Sequence, residues 1–298
     1  LKAKAAQFIA LILVLSCQLL CSSCSNHNDT RTQTPMVCVT GSDTMETLLS
    51  AWSKDFMKEK PKDPVSLTLV STGTGINSLI ERNSDMAAAS REMLDSEKAC
   101  AKANNAKLKK VMVAKDFIAV VTNSSNPVNE LTLEQLASIF SGRTKKWEEI
   151  STKYKGNIAP VLRERDAGST KFFLSHLAKL EGKEVEPASS SQFLASNETI
   201  VDEVSKNKLA IGFVAFPYTH SECKTKTIKI KIDKNSKGLQ PVASELSYPL
   251  LRPLYFFFDA SAKQEVIDFI SYCTGERGQN LAKMRGFAPP DSTGAEDI

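Results

Sequence analysis

Apolar and polar positions along the chain alternate between two spacings, and the switches between them mark out short strands and longer helices. Residues 37–40, 65–70 and 86–89 are β-branched or small apolar runs bounded by polar residues, and read as strands. Residues 44–60, 76–82 and 96–106 carry apolar side chains three and four apart, and read as helices. Further on, 111–113 and 117–122 are extended, 133–140 is helical ahead of Gly142, and 158–162 is a strand. Residues 169–180 and 200–206 are helical, 210–215 a strand, 225–232 an alternating edge strand, 255–258 a strand, and 262–272 and 277–284 helices. Such alternation predicts an α/β fold with mostly parallel strands and ligands at their carboxyl ends. Two extended segments, 111–122 and 250–258, are placed to carry the chain from one lobe to another and back. Lobe 1 is then 36–114 plus 251–298, and lobe 2 is 115–250. Periodicity alone leaves a single continuous sheet as the alternative.

The N-terminal pattern is different. Lys2 and Lys4 precede an apolar run over 5–20, too short and too early for a comfortable membrane span, followed by Cys21-Ser-Ser-Cys24 and a polar stretch. This is the layout of an export signal, so an extracytoplasmic product is expected. Small residues before a cysteine resemble a bacterial lipobox, with Cys24 as the lipidated residue of a membrane-anchored protein. The motif lacks its usual Leu; Val14-Leu-Ser-Cys17 fits in part, and a cleaved signal without lipid is the alternative. Residues 25–35 (SNHNDTRTQTP) have no periodicity and read as a tether.

The 298 residues are 42% apolar and 24% charged, which suits one large domain or two lobes. Removal of Lys2 and Lys4 with the signal lowers the formal net charge from +4 to +2, with no dense basic tract, so nucleic acid is not an expected partner. Cys38, Cys100, Cys223 and Cys273 remain in an oxidising compartment, where three complete pairings are open. Cys38, Cys100, Cys223 and Cys273 contain no Cys-x-x-Cys spacing, and His27, His176 and His220 are isolated from one another, so neither metal nor cofactor is expected.

Four strand-to-helix turns share one chemistry. Gly41-Ser42-Asp43-Thr44 offers hydroxyls at a helix start, where backbone N–H groups lack partners and the helix dipole is positive. Thr72-Gly73-Thr74-Gly75 adds glycines that let a ligand approach the backbone. Ser90-Arg91 ends a strand of small residues, and Arg163 precedes Ala167-Gly168-Ser169 at a further helix start. A guanidinium presents a fork of donors that matches a tetrahedral oxyanion. Each turn alone is an ordinary cap. The four together, three from lobe 1 and one from lobe 2, are hard to attribute to capping alone.

In order, GSDTMETLLSAW, STGTGINSLIERNSDMAAASREM, DFIAVVTNSSNPVNELTLEQLASIFSGRTKKWEEI, RERDAGSTKFF and AIGFVAFPY resemble the phosphate-binding proteins of bacterial phosphate ABC transporters. The resemblance spans nearly all of 37–285. It implies a two-lobe type 2 periplasmic-binding-protein fold with two crossing strands as hinge, and a monomer that delivers inorganic phosphate to the importer's permease subunits without catalysis. Carried over, the binding residues are Ser42, Asp43, Thr44, Thr72, Gly73, Thr74, Gly75, Ser90, Arg91, Arg163, Ala167, Gly168 and Ser169. Ala167 stands where the family places a serine, and Ser169 where it places a threonine. Some members have an aspartate at the position of Ser90, which accepts a hydrogen bond from protonated phosphate. Asp43 is the expected substitute here, with simple helix capping as its alternative. Competing functions are another tetrahedral oxyanion such as sulfate or molybdate, an exported phosphohydrolase, and a surface adhesin or sensor.

Overall fold

The computed structural model describes residues 36–165, 167–219, 224–242 and 244–298. Cys24, the signal region, the tether, His27, His220 and Cys223 lie outside the described residues. β1 (Val37–Gly41) passes through a 3-10 turn at Asp43–Met45 into α1 (Glu46–Glu59). β2 (Val65–Leu69), α2 (Thr72–Ile80), β3 (Met86–Ala89) and α3 (Asp95–Ala103) follow, and then the long β4 (Leu108–Asn123). The middle of the chain holds β5 (Glu130–Thr132), α4 (Leu133–Phe140), β6 (Ala159–Arg163), α5 (Gly168–Glu181), β7 (Gln192–Leu194), α6 (Asn197–Lys206), β8 (Ala210–Ala215), β9 (Thr225–Thr227) and β10 (Lys229–Lys231). It returns through β11 (Leu251–Asp259), α7 (Gln264–Thr274), α8 (Glu276–Met284) and β12 (Glu296–Asp297).

Two strand groups share β4, and this gives the molecule its two lobes. Lobe 1 runs β2-β1-β3-β11-β4, with β1 parallel to both β2 and β3 and β11 antiparallel to β3 and β4. Lobe 2 runs β4-β8-β6-β7, with β6 parallel to both neighbours. Each group carries apolar side chains on both faces. In lobe 1, Trp52, Phe56, Phe256 and Phe269 fill one face, and Ile76, Leu79, Ala89 and Phe257 the other. Phe140, Phe173 and Phe213 centre lobe 2, the last two stacked with centroids 4.2 Å apart. The parallel strands end at the cleft between the groups, where the turns of interest lie.

Three segments differ from the sequence reading. Residues 111–113 and 117–122 belong to one 16-residue strand. The Lys115-Asp116 pair that interrupts the apolar pattern stays inside it because Asp116 is ion-paired to Arg252 on the adjoining strand. The helix expected at 76–82 begins at Thr72: Ser71 Oγ accepts the Thr74 N–H at 3.1 Å, so the glycine turn is the helix's first turn. Gly75 belongs there because a Cβ would lie 2.6 Å from both Gly41 Cα and Thr40 O. The alternating stretch 225–232 splits at buried Ile228, β9 joining β4 and β10 joining β5. Among the described residues, Cys38, Cys100 and Cys273 are free thiols.

Candidate functional site

Ser42 follows the last residue of β1 and is fixed by its own N–H, which donates to Ala88 O at 2.8 Å. Its side chain does not cap α1. Instead Ser42 Oγ donates to Ser90 Oγ at 3.2 Å, and Ser90 Oγ lies 3.3 Å from Thr72 Oγ1. Ser90 N–H also donates to Thr72 Oγ1, at 3.1 Å. Hydroxyls from three separate turns thus form one buried chain at the carboxyl ends of β1, β2 and β3. Thr44 is buried beside it, in the first turn after β1. Gly41 allows β1 and β3 to come this close, since a Cβ there would sit 2.0 Å from Ala88 O.

Lobe 2 meets this chain with the start of α5. A Cβ on Gly168 would lie 2.4 Å from Ser90 Oγ and 3.1 Å from Thr72 Oγ1. The neighbouring Ser169 Oγ is buried with no hydrogen-bond partner. Ala167 does not add a free N–H, because its amide donates to Glu164 O at 3.0 Å; the first-turn amides that follow have no acceptor inside the helix. Thr170 Oγ1 donates to Arg163 O at 3.0 Å and so ties the end of β6 to α5. Gly168→Ala is expected to wedge the lobes apart at a cost of about 1–3 kcal/mol, roughly a 5- to 150-fold loss of closed population. Small-angle scattering reads this as a larger radius of gyration; an unchanged radius would contradict the packing.

Arg163 is 5% exposed, and its Nη1 stands 2.9 Å from Asp43 Oδ2. Among the ion pairs of the described residues this one crosses the cleft. The contact lacks hydrogen-bond alignment, and neither Nε nor Nη1 has a hydrogen-bond partner. Asp43 therefore reaches lobe 2 rather than capping its own helix.

Two expected residues are placed elsewhere. Arg91 turns from Ser90 to Glu97, with Nη1 donating to Oε2 at 2.8 Å and Nη2 to Oε1 at 2.7 Å. Glu97 also accepts the Leu94 N–H at 2.8 Å, so this pair braces the glycine turn from behind, 3.8 Å from the Cβ position of Gly73. Thr74 is exposed, with its hydroxyl 2.9 Å from Ser71 Oγ, outside the buried chain. Ser42, Thr72, Ser90, Gly168, Ser169, Arg163 and Asp43 are brought together.

A groove of about 1280 Å³ opens between the lobes, lined by Glu46 and Lys54 on one side and Asn123 and Tyr218 on the other. Burial, with Glu198, Glu46 and Asp43 nearby, pushes the Tyr218 hydroxyl well above the ordinary phenol range.

Residues 26–277 match the model of the family described as the PBP superfamily domain. This chain belongs to the PBP superfamily. The phosphate-binding protein PstS of Staphylococcus aureus strain USA300 is 30% identical over 258 residues, covering 84% of this chain and 76% of that protein. A Clostridium perfringens protein described as a phosphate ABC transporter substrate-binding protein, solved with bound phosphate, superposes with a TM-score of 0.74 at 25% identity, covering 86% of this chain and all of that one. An ABC-type phosphate transport receptor from Vibrio cholerae shares the fold, with a TM-score of 0.67 at 24% identity over 85% of this chain and all of that one. The PBP fold accounts for a site at the meeting of two lobes. Members of this superfamily are binding proteins.

Sequence reasoning missed Glu97, Thr170 and the Asp116–Arg252 pair. The last was detectable in part: Arg252 is the one charge in the apolar run LLRPLYFFF, Asp116 opens the apolar run FIAVV, and in a buried strand a charge needs a partner. No helix among the described residues is long and apolar enough to cross a membrane.

Proposed function

We propose that this chain binds inorganic phosphate between its two lobes and delivers it to the permease subunits of an ABC importer. In this reading it works outside the cytoplasm as a monomer, lipid-anchored through Cys24, with residues 36–114 plus 251–298 as lobe 1 and 115–250 as lobe 2. One observation carries it: a nearly buried guanidinium, Arg163, has donors to spare within a cluster of buried hydroxyls and an unpartnered Ser169 Oγ. Buried polar groups in folded proteins are almost always paired, so a set of unmatched donors at one place calls for an acceptor. A tetrahedral oxyanion supplies several acceptor atoms to such a set and matches the guanidinium fork. Donors come from both lobes, so binding and closure support each other.

Asp43 has a second task in this scheme. A carboxylate cannot donate to an anion, but it can accept a hydrogen bond from the protonated oxygen that phosphate carries at neutral pH and that sulfate lacks. Its pairing with Arg163 holds it at the lobe boundary, where this contact is made. Asp43→Asn keeps the size and loses the charge. It is expected to narrow the preference for phosphate over sulfate by about tenfold or more, on the scale of one charged hydrogen bond of roughly 1.5–3 kcal/mol. Equal preference ratios in the variant and the parent protein would remove Asp43 from this role.

Calorimetric titration of phosphate-stripped protein with phosphate, sulfate and molybdate at two pH values tests the whole reading. One-to-one binding with phosphate strongly preferred is expected. Binding led by another oxyanion would reassign the ligand, and no binding of any of the three would end the proposal.

A further inference from the structure

Besides β4 and β11, a third segment crosses between the lobes. Leaving α8, the chain turns at Gly286, whose φ of +86° suits glycine and whose Cβ position lies 3.1 Å from Phe216 Cδ1 in lobe 2. Phe287 then enters the lobe 1 core with Trp52 and Phe256, while the next residue, Ala288, enters the lobe 2 core with Phe117 and Tyr248. Between them the segment is bonded to the hinge itself. Lys115 N–H donates to Ala288 O at 2.8 Å, and Ala288 N–H donates to Lys115 O at 2.9 Å.

The tail beyond returns to lobe 1 and is pegged along β4. Glu296 and Asp297 pair with Lys110 and Lys109 in antiparallel register, and Ile298 N–H donates to Leu108 O at 3.1 Å. Three acidic side chains face three lysines of the same strand: Asp291 on Lys115, Glu296 on Lys110 at 3.3 Å, and Asp297 on Lys109 at 3.8 Å. The segment is therefore anchored in lobe 1 at both ends, by α8 and by β12, and fastened at its middle to the hinge. Close to that fastening the β4–β11 register breaks: Leu254 faces Ala114 but Tyr255 faces Met112, leaving Val113 unopposed. Such a bulge is a natural place for two strands to bend.

We infer that residues 286–298 form a strap that limits how far the lobes open about the Val113 bulge. Rotation there moves Lys115, on the lobe 2 side of the bulge, relative to β12 on lobe 1. The strap resists because both of its ends are tied to lobe 1. Its outer pegs are exposed ion pairs, individually weak and screened by salt, so the restraint is adjustable rather than rigid.

The test uses the full chain, a D291N/E296Q/D297N variant, and a chain ending at Pro290. Both changes leave Phe287, Ala288 and the backbone bonds between Lys115 and Ala288 in place. Small-angle scattering without added phosphate should give a larger radius of gyration for both variants than for the parent, and high salt should move the parent in the same direction. Stopped-flow phosphate release should be about fivefold faster or more, within the range of ordinary coupling between sites. Melting temperatures that fall with radius and release rate unchanged would make the tail a stabilising clip only and overturn the strap. The release measurement rests on the phosphate reading. The scattering does not, so the radius of gyration decides for or against the strap even if the parent protein fails to bind phosphate.

Discussion

Replacing Arg163 by alanine is expected to weaken phosphate binding by about 2–5 kcal/mol, roughly 30- to 5,000-fold, measured by calorimetry against the parent protein. Arg163 is buried at the end of β6, with its Nη1 2.9 Å from Asp43 Oδ2. Its removal takes away a fork of donors and also leaves Asp43 facing the anion without its counter-charge. The two losses add in the same direction. Arg163→Lys should recover only part, because an ammonium is a point charge without the planar fork. The double change R163A/D43N should bind more tightly than R163A alone, since it removes the uncompensated carboxylate. A loss of less than threefold in R163A would show that the binding energy lies elsewhere.

The second large effect is expected in stability. Asp116 and Arg252 face each other across β4 and β11 with 1% and 0% side-chain exposure, Arg252 Nη2 donating to Asp116 Oδ2 at 2.7 Å and Nε at 3.1 Å. Burial acts against the charged carboxylate and pushes Asp116 up from the ordinary range despite the pull of Arg252. Arg252→Met leaves that carboxylate buried without its partner, and should cost about 3–5 kcal/mol in urea unfolding. The double change D116L/R252M should recover most of this and could equal or exceed the parent, because no buried charge then remains. Equal losses in the single and double variants would mean that packing, not charge, sets the cost.

The periodic part of the fold was legible, and the reasons are local. Helix α1 shows apolar Leu48, Leu49, Trp52 and Phe56 at helical spacing, and these are the side chains it buries. The strand β8, AIGFVA, is apolar throughout because both faces are covered. Elements held by pairing rather than by periodicity were not legible: β5, β7 and β12 are two or three residues each and exist because a neighbour offers bonds. In the site, the turns were found from hydroxyls and glycines at helix starts. Their inward or outward direction was not, because it depends on competitors. Arg91 faces Glu97 six residues on, and Thr74 faces Ser71, and neither preference is visible until α2 and α3 are placed. The reach of Asp43 to Arg163 spans 120 positions and could only come from the tertiary arrangement.

The close contact of β1, β3 and α2 has a further consequence. With Gly41 against Ala88 and Gly75 against Thr40, three backbones touch without side chains between them, so Ser42, Thr72 and Ser90 are mounted on one unyielding block. An anion bound as proposed would meet that half of its shell ready-made and wait for the other half to travel. Arrival and locking would then be separate events, the first governed by a fixed platform and the second by a swinging arm.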